Sequence, residues 1–83
     1  IHEDTAKLLL RRGVVGMGID TLSVDAGGID FPAHRAMLGA EKYIVENITN
    51  LKDMPATGAR VFIFPIKIAH GSESPVRVIA EIP

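Results

Sequence analysis

The sequence contains no cysteine and no tryptophan, and only one tyrosine and three phenylalanines among its 83 residues. Without cysteine there is no disulfide framework and no thiolate to serve as nucleophile or metal ligand; such a composition accords with the cytoplasm. Charge of either sign is not in excess. Nine Lys and Arg stand against ten Asp and Glu, a formal net charge of −1, and no basic stripe of the kind nucleic acid requires is present. No apolar run reaches the roughly 18 residues of a membrane-crossing helix, and no signal-like segment opens the chain. Nucleic acid and membrane are therefore not expected partners. The motifs of two large enzyme classes are also missing. No G-x-S-x-G occurs, which argues against a serine hydrolase, and Gly16-Met17-Gly18 leads into a loop rather than a helix, which argues against a dinucleotide fold.

What is there is apolar for so short a chain: 47% of residues are hydrophobic and the mean hydropathy is +0.24. A domain of this size buries only about 60% of its unfolded surface. The excess implies surface covered by something else, either another subunit or a missing part of the same protein. The first residue, Ile1, is not Met, and the chain is expected to be processed or incomplete.

Local patterns give a mixed architecture. HEDTAKLLLRRG places acid first, base last and glycine after, the order a helix dipole and C-cap prefer, and predicts a helix over 3–12 with Ala6, Leu9 and Leu10 inward. VVGMGI (14–19) reads as a short strand and DTLSVDAGGID (20–30) as a polar loop. FPAHRAMLGAEKYIVENITNL (31–51) reads as helix, turn at Gly39, then strand, with Ile44, Glu46 and Ile48 on one face by alternation. NLKDMPATGA is a turn region, VFIFPIKI a strand interrupted by Pro65, HGSESP a connection and VRVIAEI a last strand.

His34 and Glu46 are the sharpest pair. On one unbroken helix twelve residues rise about 18 Å, so the two can meet only if the chain turns between them. A carboxylate between two isoleucines needs a cation, a metal or strong donors, and imidazole with carboxylate is a ligand set of zinc and manganese hydrolytic sites. The bland alternative is a capping or surface histidine and a strand-end glutamate paired with Arg35 or Lys42. Asp20, Ser23 and Asp25 form an oxygen-rich loop of the kind that can hold a hard cation or hydrogen-bond a substrate, but it lacks the ligand series of an EF-hand; ordinary turn chemistry is the favoured account of such residues. His2 and His70 read as solvated.

Taken together, GVVGMGIDTLSVD, FPAHRAMLGAEKYIVENITNL and ARVFIFPIKIAHGSESPVRVIAEIP resemble the C-terminal half of the cyclase family of metal-dependent hydrolases, which includes bacterial kynurenine formamidases and isatin hydrolases. The likeness runs in order: a G-x-D-x-x-S-x-D loop, a histidine, a glutamate twelve residues on, a proline-containing strand and an S-P-V-R strand. The resemblance implies an α+β fold, the C-terminal part of a single swivelling β/β/α domain with a mixed sheet and two helices. It also implies that His34 and Glu46 are metal ligands, for zinc or manganese, and that Asp20, Ser23 and Asp25 belong to a substrate-pocket or structural loop. The reaction it implies is hydrolysis of a C–N amide bond, in a formamide or lactam such as N-formylkynurenine or isatin, by a metal-activated water. The family's H-x-T-H-x-D-x-P-x-H run is not in this sequence. The acid/base histidine is thus expected in an N-terminal half, no catalytic residue is assigned here, and the 83 residues alone are expected to be inactive. That half, or another subunit of a homo-oligomer, is the expected partner. A non-catalytic assembly module or degenerate family member is the alternative.

Overall fold

The structure, a computed structural model, describes residues 1–26 and 30–83; residues 27–29 of the loop expected over 20–30 lie outside them. The chain divides into two compact units, 1–49 and 50–83.

The first unit opens with α1 (Glu3–Arg11). Its N-cap is His2, whose Nδ1 accepts a hydrogen bond from the Asp4 N–H at 3.0 Å; His2 is exposed, as expected, but it has a partner and a structural task. Glu3 and Asp4 in the first turn and Arg11 in the last complement the helix dipole. The helix stops because Gly13 takes φ +77°, which lets the Gly13 N–H reach Leu10 O and the Val14 N–H reach Leu9 O, the paired bonds of a Schellman cap. Ala6 is fully buried, Leu9 and Leu10 are half-buried, and Leu8 is exposed, so the expected inward face is the observed one.

β1 (Gly16–Gly18) pairs in parallel with β2 (Tyr43–Val45), and α2 (Pro32–Gly39) lies between them in sequence. Parallel neighbours require such a crossover. The strands are short because glycine at both ends of β1 offers little side chain to pack. Gly16 leaves room for the Tyr43 ring, which lies across it and would have to move aside for a Cβ. Ala6, Val24, Ala33 and Met37, all at 0% exposure, form the core, with Leu10, Val14, Met17, Ile19 and Ile44 packed around it. Burying Met37 alone is worth about 1.5–3 kcal/mol.

The second unit contains a single 3₁₀ turn, Leu51–Asp53, and an antiparallel pair, β3 (Arg60–Pro65) and β4 (Val76–Glu81). Pro65 sits at the end of β3, where its missing N–H costs no ladder bond. The register places Phe62 opposite Ile79 and Phe64 opposite Arg77 on one face, with Val61, Ile63, Pro65, Val76, Val78 and Ala80 on the other. Large apolar side chains on both faces remain exposed, among them Val61, Phe64 and Ile79.

Among the described residues the architecture is mixed, with two helices and small sheets, in keeping with an α+β class. Parallel and antiparallel pairing both occur, in two separate two-stranded sheets rather than one mixed sheet. No helix among the described residues is long and apolar enough to cross a membrane.

Candidate metal centre

The site is assembled at the start of α2. Phe31, the N-cap, is in the left-handed region at φ +45° and offers no side-chain cap, while Pro32 occupies the first turn. The first free backbone donors of the helix are satisfied instead by Asp25, several positions upstream. Its Oδ1 accepts the Ala33 N–H at 2.8 Å and its Oδ2 accepts the His34 N–H at 3.0 Å. The same Oδ2 lies 2.7 Å from Nδ1 of His34. Ser23 supports this arrangement, its Oγ accepting the Asp25 N–H at 3.1 Å, and the adjacent Val24 anchors the loop in the core.

Asp25 has a side chain only 3% exposed. Burial pushes its carboxyl up, but the hydrogen bond from the His34 ring, the two backbone N–H donors and the His34 charge together outweigh that. The net position is below the ordinary carboxylate value.

Glu46 approaches from the other side of the imidazole. It is the first residue past β2, and backbone bonds hold it on either flank: the Ile19 N–H donates to Val45 O, and the Asn47 N–H donates to Thr21 O. Alternation over Ile44 and Glu46 holds: Ile44 packs on the core to which α2 contributes Ala33 and Met37, and Glu46 meets His34 of the same helix. It does not run on to Ile48, because β2 ends at Val45 and Asn47 turns the chain at φ +56°. Glu46 Oε2 stands 3.3 Å from His34 Nε2. The two atoms do not meet with hydrogen-bond geometry, and the buried Oε2 has no hydrogen-bond partner among the described residues. Phe31 lies edge-on to the His34 ring, with centroids 5.7 Å apart.

The structure thus brings together Asp25, His34 and Glu46 in a line, with Ser23 behind them. The ion pairs of Glu46 with Arg35 or Lys42, the bland alternative, are not what it forms; its close neighbour is His34. Asp20 is exposed and makes none of these bonds. The neighbouring Thr21, which the sequence reading passed over, contributes the carbonyl that fixes Asn47. His70 is exposed in the connection between β3 and β4, at φ +60°.

A buried carboxylate oxygen without a donor is costly, and its position opposite an imidazole nitrogen suits a shared cation. Two donors each about 2.0–2.2 Å from one ion can stand 3.3 Å apart. The residues present therefore fit two ligands of a divalent cation. They do not complete a shell: among the described residues no group of three or more His, Cys, Asp and Glu side chains is placed to hold a metal ion.

Comparison with known proteins gives this geometry its context. No family model matches the chain. It is 34% identical over 85 aligned positions to the isatin hydrolase of Roseibium aggregatum, covering 96% of this chain and 32% of that protein. It is 36% identical over 76 positions to the kynurenine formamidase of Polaromonas naphthalenivorans, covering 90% and 34% respectively. With the kynurenine formamidase of Paracidovorax citrulli the identity is 31% over 81 positions, 96% of this chain and 37% of that one. The chain spans about a third of the length of the curated relatives it matches. Along nearly all of its own length the chain is homologous to isatin hydrolases and kynurenine formamidases, over the third of them that it spans.

Proposed function

We propose that this chain is the C-terminal part of a metal-dependent hydrolase that cleaves a C–N amide bond, in a formamide or lactam such as N-formylkynurenine or isatin. The observation that carries the reading is the buried Oε2 of Glu46, which no donor among the described residues reaches, facing His34 Nε2 at 3.3 Å. The names of the relatives support the reaction class.

In this reading His34 and Glu46 would hold one divalent cation, zinc or manganese. When bound, the cation acts as a Lewis acid toward the substrate carbonyl and draws the pKa of a water toward neutrality. His34 contributes a neutral nitrogen donor; Glu46 contributes negative charge, which offsets part of the charge of the ion. Neither moves a proton to the leaving amine. That work needs a general acid, here assigned to a histidine of an N-terminal region, together with the remaining ligands. The swivelling β/β/α domain is likewise completed by that region. The loop of Asp20, Ser23 and Asp25 flanks the substrate side or supports the ligands.

The test is reconstitution. The purified chain is mixed with a separately produced N-terminal region of a family-length protein, and hydrolysis of N-formylkynurenine and isatin is followed with and without zinc or manganese. The chain alone is expected to bind metal weakly and to be inactive, because affinity depends on a completed coordination shell. The mixture is expected to turn over in a metal-dependent way that Glu46→Gln abolishes. Full activity of the 83 residues alone would overturn the reading.

One observation favours a second reading, a non-catalytic assembly module. The β3–β4 pair exposes apolar residues on both faces, and an isolated two-stranded hairpin is marginal without cover. Association with a second copy or with the N-terminal region supplies that cover in either reading. Metal-independent association with no turnover in the reconstituted mixture would select the assembly module.

A further inference from the structure

We propose that Asp25 is the positioning residue for His34: its carboxylate holds the imidazole in the Nδ1–H tautomer and leaves Nε2 bare on the side of Glu46. The inference deepens the reading of His34 as a cation ligand and rests on it for its functional meaning. The tautomer itself follows from the geometry alone.

A carboxylate can only accept hydrogen bonds. The two backbone N–H groups that reach Asp25 fix where its oxygens lie, Oδ1 on Ala33 and Oδ2 on His34, so the carboxylate cannot turn away. The short contact from Oδ2 to Nδ1 must then be filled by a hydrogen carried on Nδ1. In a neutral imidazole that hydrogen leaves Nε2 with its lone pair. A solvated histidine favours the opposite form, with hydrogen on Nε2, which cannot ligate through that atom. Phe31, edge-on to the ring, restricts its swing, and Ser23 holds the Asp25 backbone from behind.

A cap for α2 needs only the bonds to Ala33 and His34 N–H, and Asn could supply part of them. Setting the tautomer needs an acceptor at Nδ1. Asn can turn its amide oxygen to the place of Oδ2, where it still accepts from the His34 N–H and from Nδ1, so it keeps the tautomer. Asp25→Ser keeps a hydroxyl near the start of α2 but withdraws the acceptor from Nδ1, and the two roles separate on that substitution.

The experiment is long-range ¹H–¹⁵N correlation spectroscopy of the metal-free chain, labelled with ¹⁵N histidine, at mildly alkaline pH, with exposed His2 and His70 as internal references. The native chain is expected to show His34 with Nδ1 protonated and Nε2 bare. Asp25→Ser is expected to lose that pattern in favour of Nε2–H while its amide spectrum stays folded. Hydrogen on Nε2 in the native chain, alone or with Nδ1, overturns the proposal. So does an unchanged tautomer in folded Asp25→Ser. Should that variant not fold, Asp25→Ala, which removes every acceptor of the side chain, is read in the same way. If neither variant folds, the native tautomer decides by itself. A zinc titration forms the second arm. His34 Nε2 is expected to shift on zinc addition, with affinity about 10- to 100-fold weaker in Asp25→Ser. A native Nδ1–H tautomer with no zinc response at His34 would leave the positioning role standing and remove the metal reading. A zinc response with Nε2–H in the metal-free chain would do the reverse.

Discussion

His34 Nε2 and Glu46 Oε2 stand 3.3 Å apart without a hydrogen bond between them, and the glutamate oxygen is buried. Among the described residues no donor reaches that oxygen while the imidazole is neutral, and a buried acceptor without a donor is costly to the metal-free fold. Glu46→Gln is therefore expected to leave the metal-free chain as stable as the native one or to raise its stability, by on the order of 1 kcal/mol, while abolishing metal-dependent turnover of the reconstituted protein. Urea unfolding in the presence of a chelator checks the first half. A marked loss of stability would mean that the carboxylate is held by a donor after all.

Asp25 contrasts with Glu46, since all its contacts are favourable to the fold. Asp25→Ala removes the acceptor from two helix N–H groups and from the His34 ring, and should destabilise the first unit by about 1–3 kcal/mol. Equal stability of native and variant chains in urea would show that the helix start does not depend on it.

The same carboxylate gives a pH dependence whose sign is fixed by its lowered position. A carboxyl held below its ordinary value in the fold contributes stability that is fully present above the unfolded value. That contribution is lost as pH falls through the ordinary range toward the folded value. Below about pH 4, the native chain should lose stability more steeply than Asp25→Asn. Parallel pH profiles of the urea midpoint would contradict it.

Much of this was legible in the sequence, for physical reasons that can be named. The helix α1 was, because dipole charges, apolar spacing and a C-terminal glycine all agreed. The meeting of His34 and Glu46 was, because a helix of their separation would hold them too far apart and the residues between them carry a turn. The role of Asp25 was not: capping rules look for a side chain next to the helix, whereas Phe31 occupies that position with φ +45° and the cap comes from eight residues before Ala33. Nor was the cap by His2, a bond to the Asp4 N–H. The alternation rule holds from Ile44 to Glu46 and stops short of Ile48, because it assumes an extended chain and Asn47 turns it.

Packing offers a prediction independent of the site. Met37 is fully buried and its neighbour Leu38 is 55% exposed. Met37→Ala should cost about 2–5 kcal/mol, and Leu38→Ala within about 0.5 kcal/mol of nothing. Similar losses for both would contradict the placement of α2.

The β1–β2 contact can be probed by a double-mutant cycle. Gly16→Ala should cost about 1–3 kcal/mol through overpacking against Tyr43, and much less when Tyr43→Ala is already present. Additive losses would show that the ring does not lie over the glycine.

The central claim is that His34 and Glu46 share one cation. Anomalous diffraction from crystals of the chain grown with zinc tests it most directly. The account predicts a zinc peak within about 2.0–2.2 Å of both His34 Nε2 and Glu46 Oε2. Zinc bound only at the exposed His2 or His70, with Glu46 and His34 closed into an ordinary hydrogen bond, would contradict it.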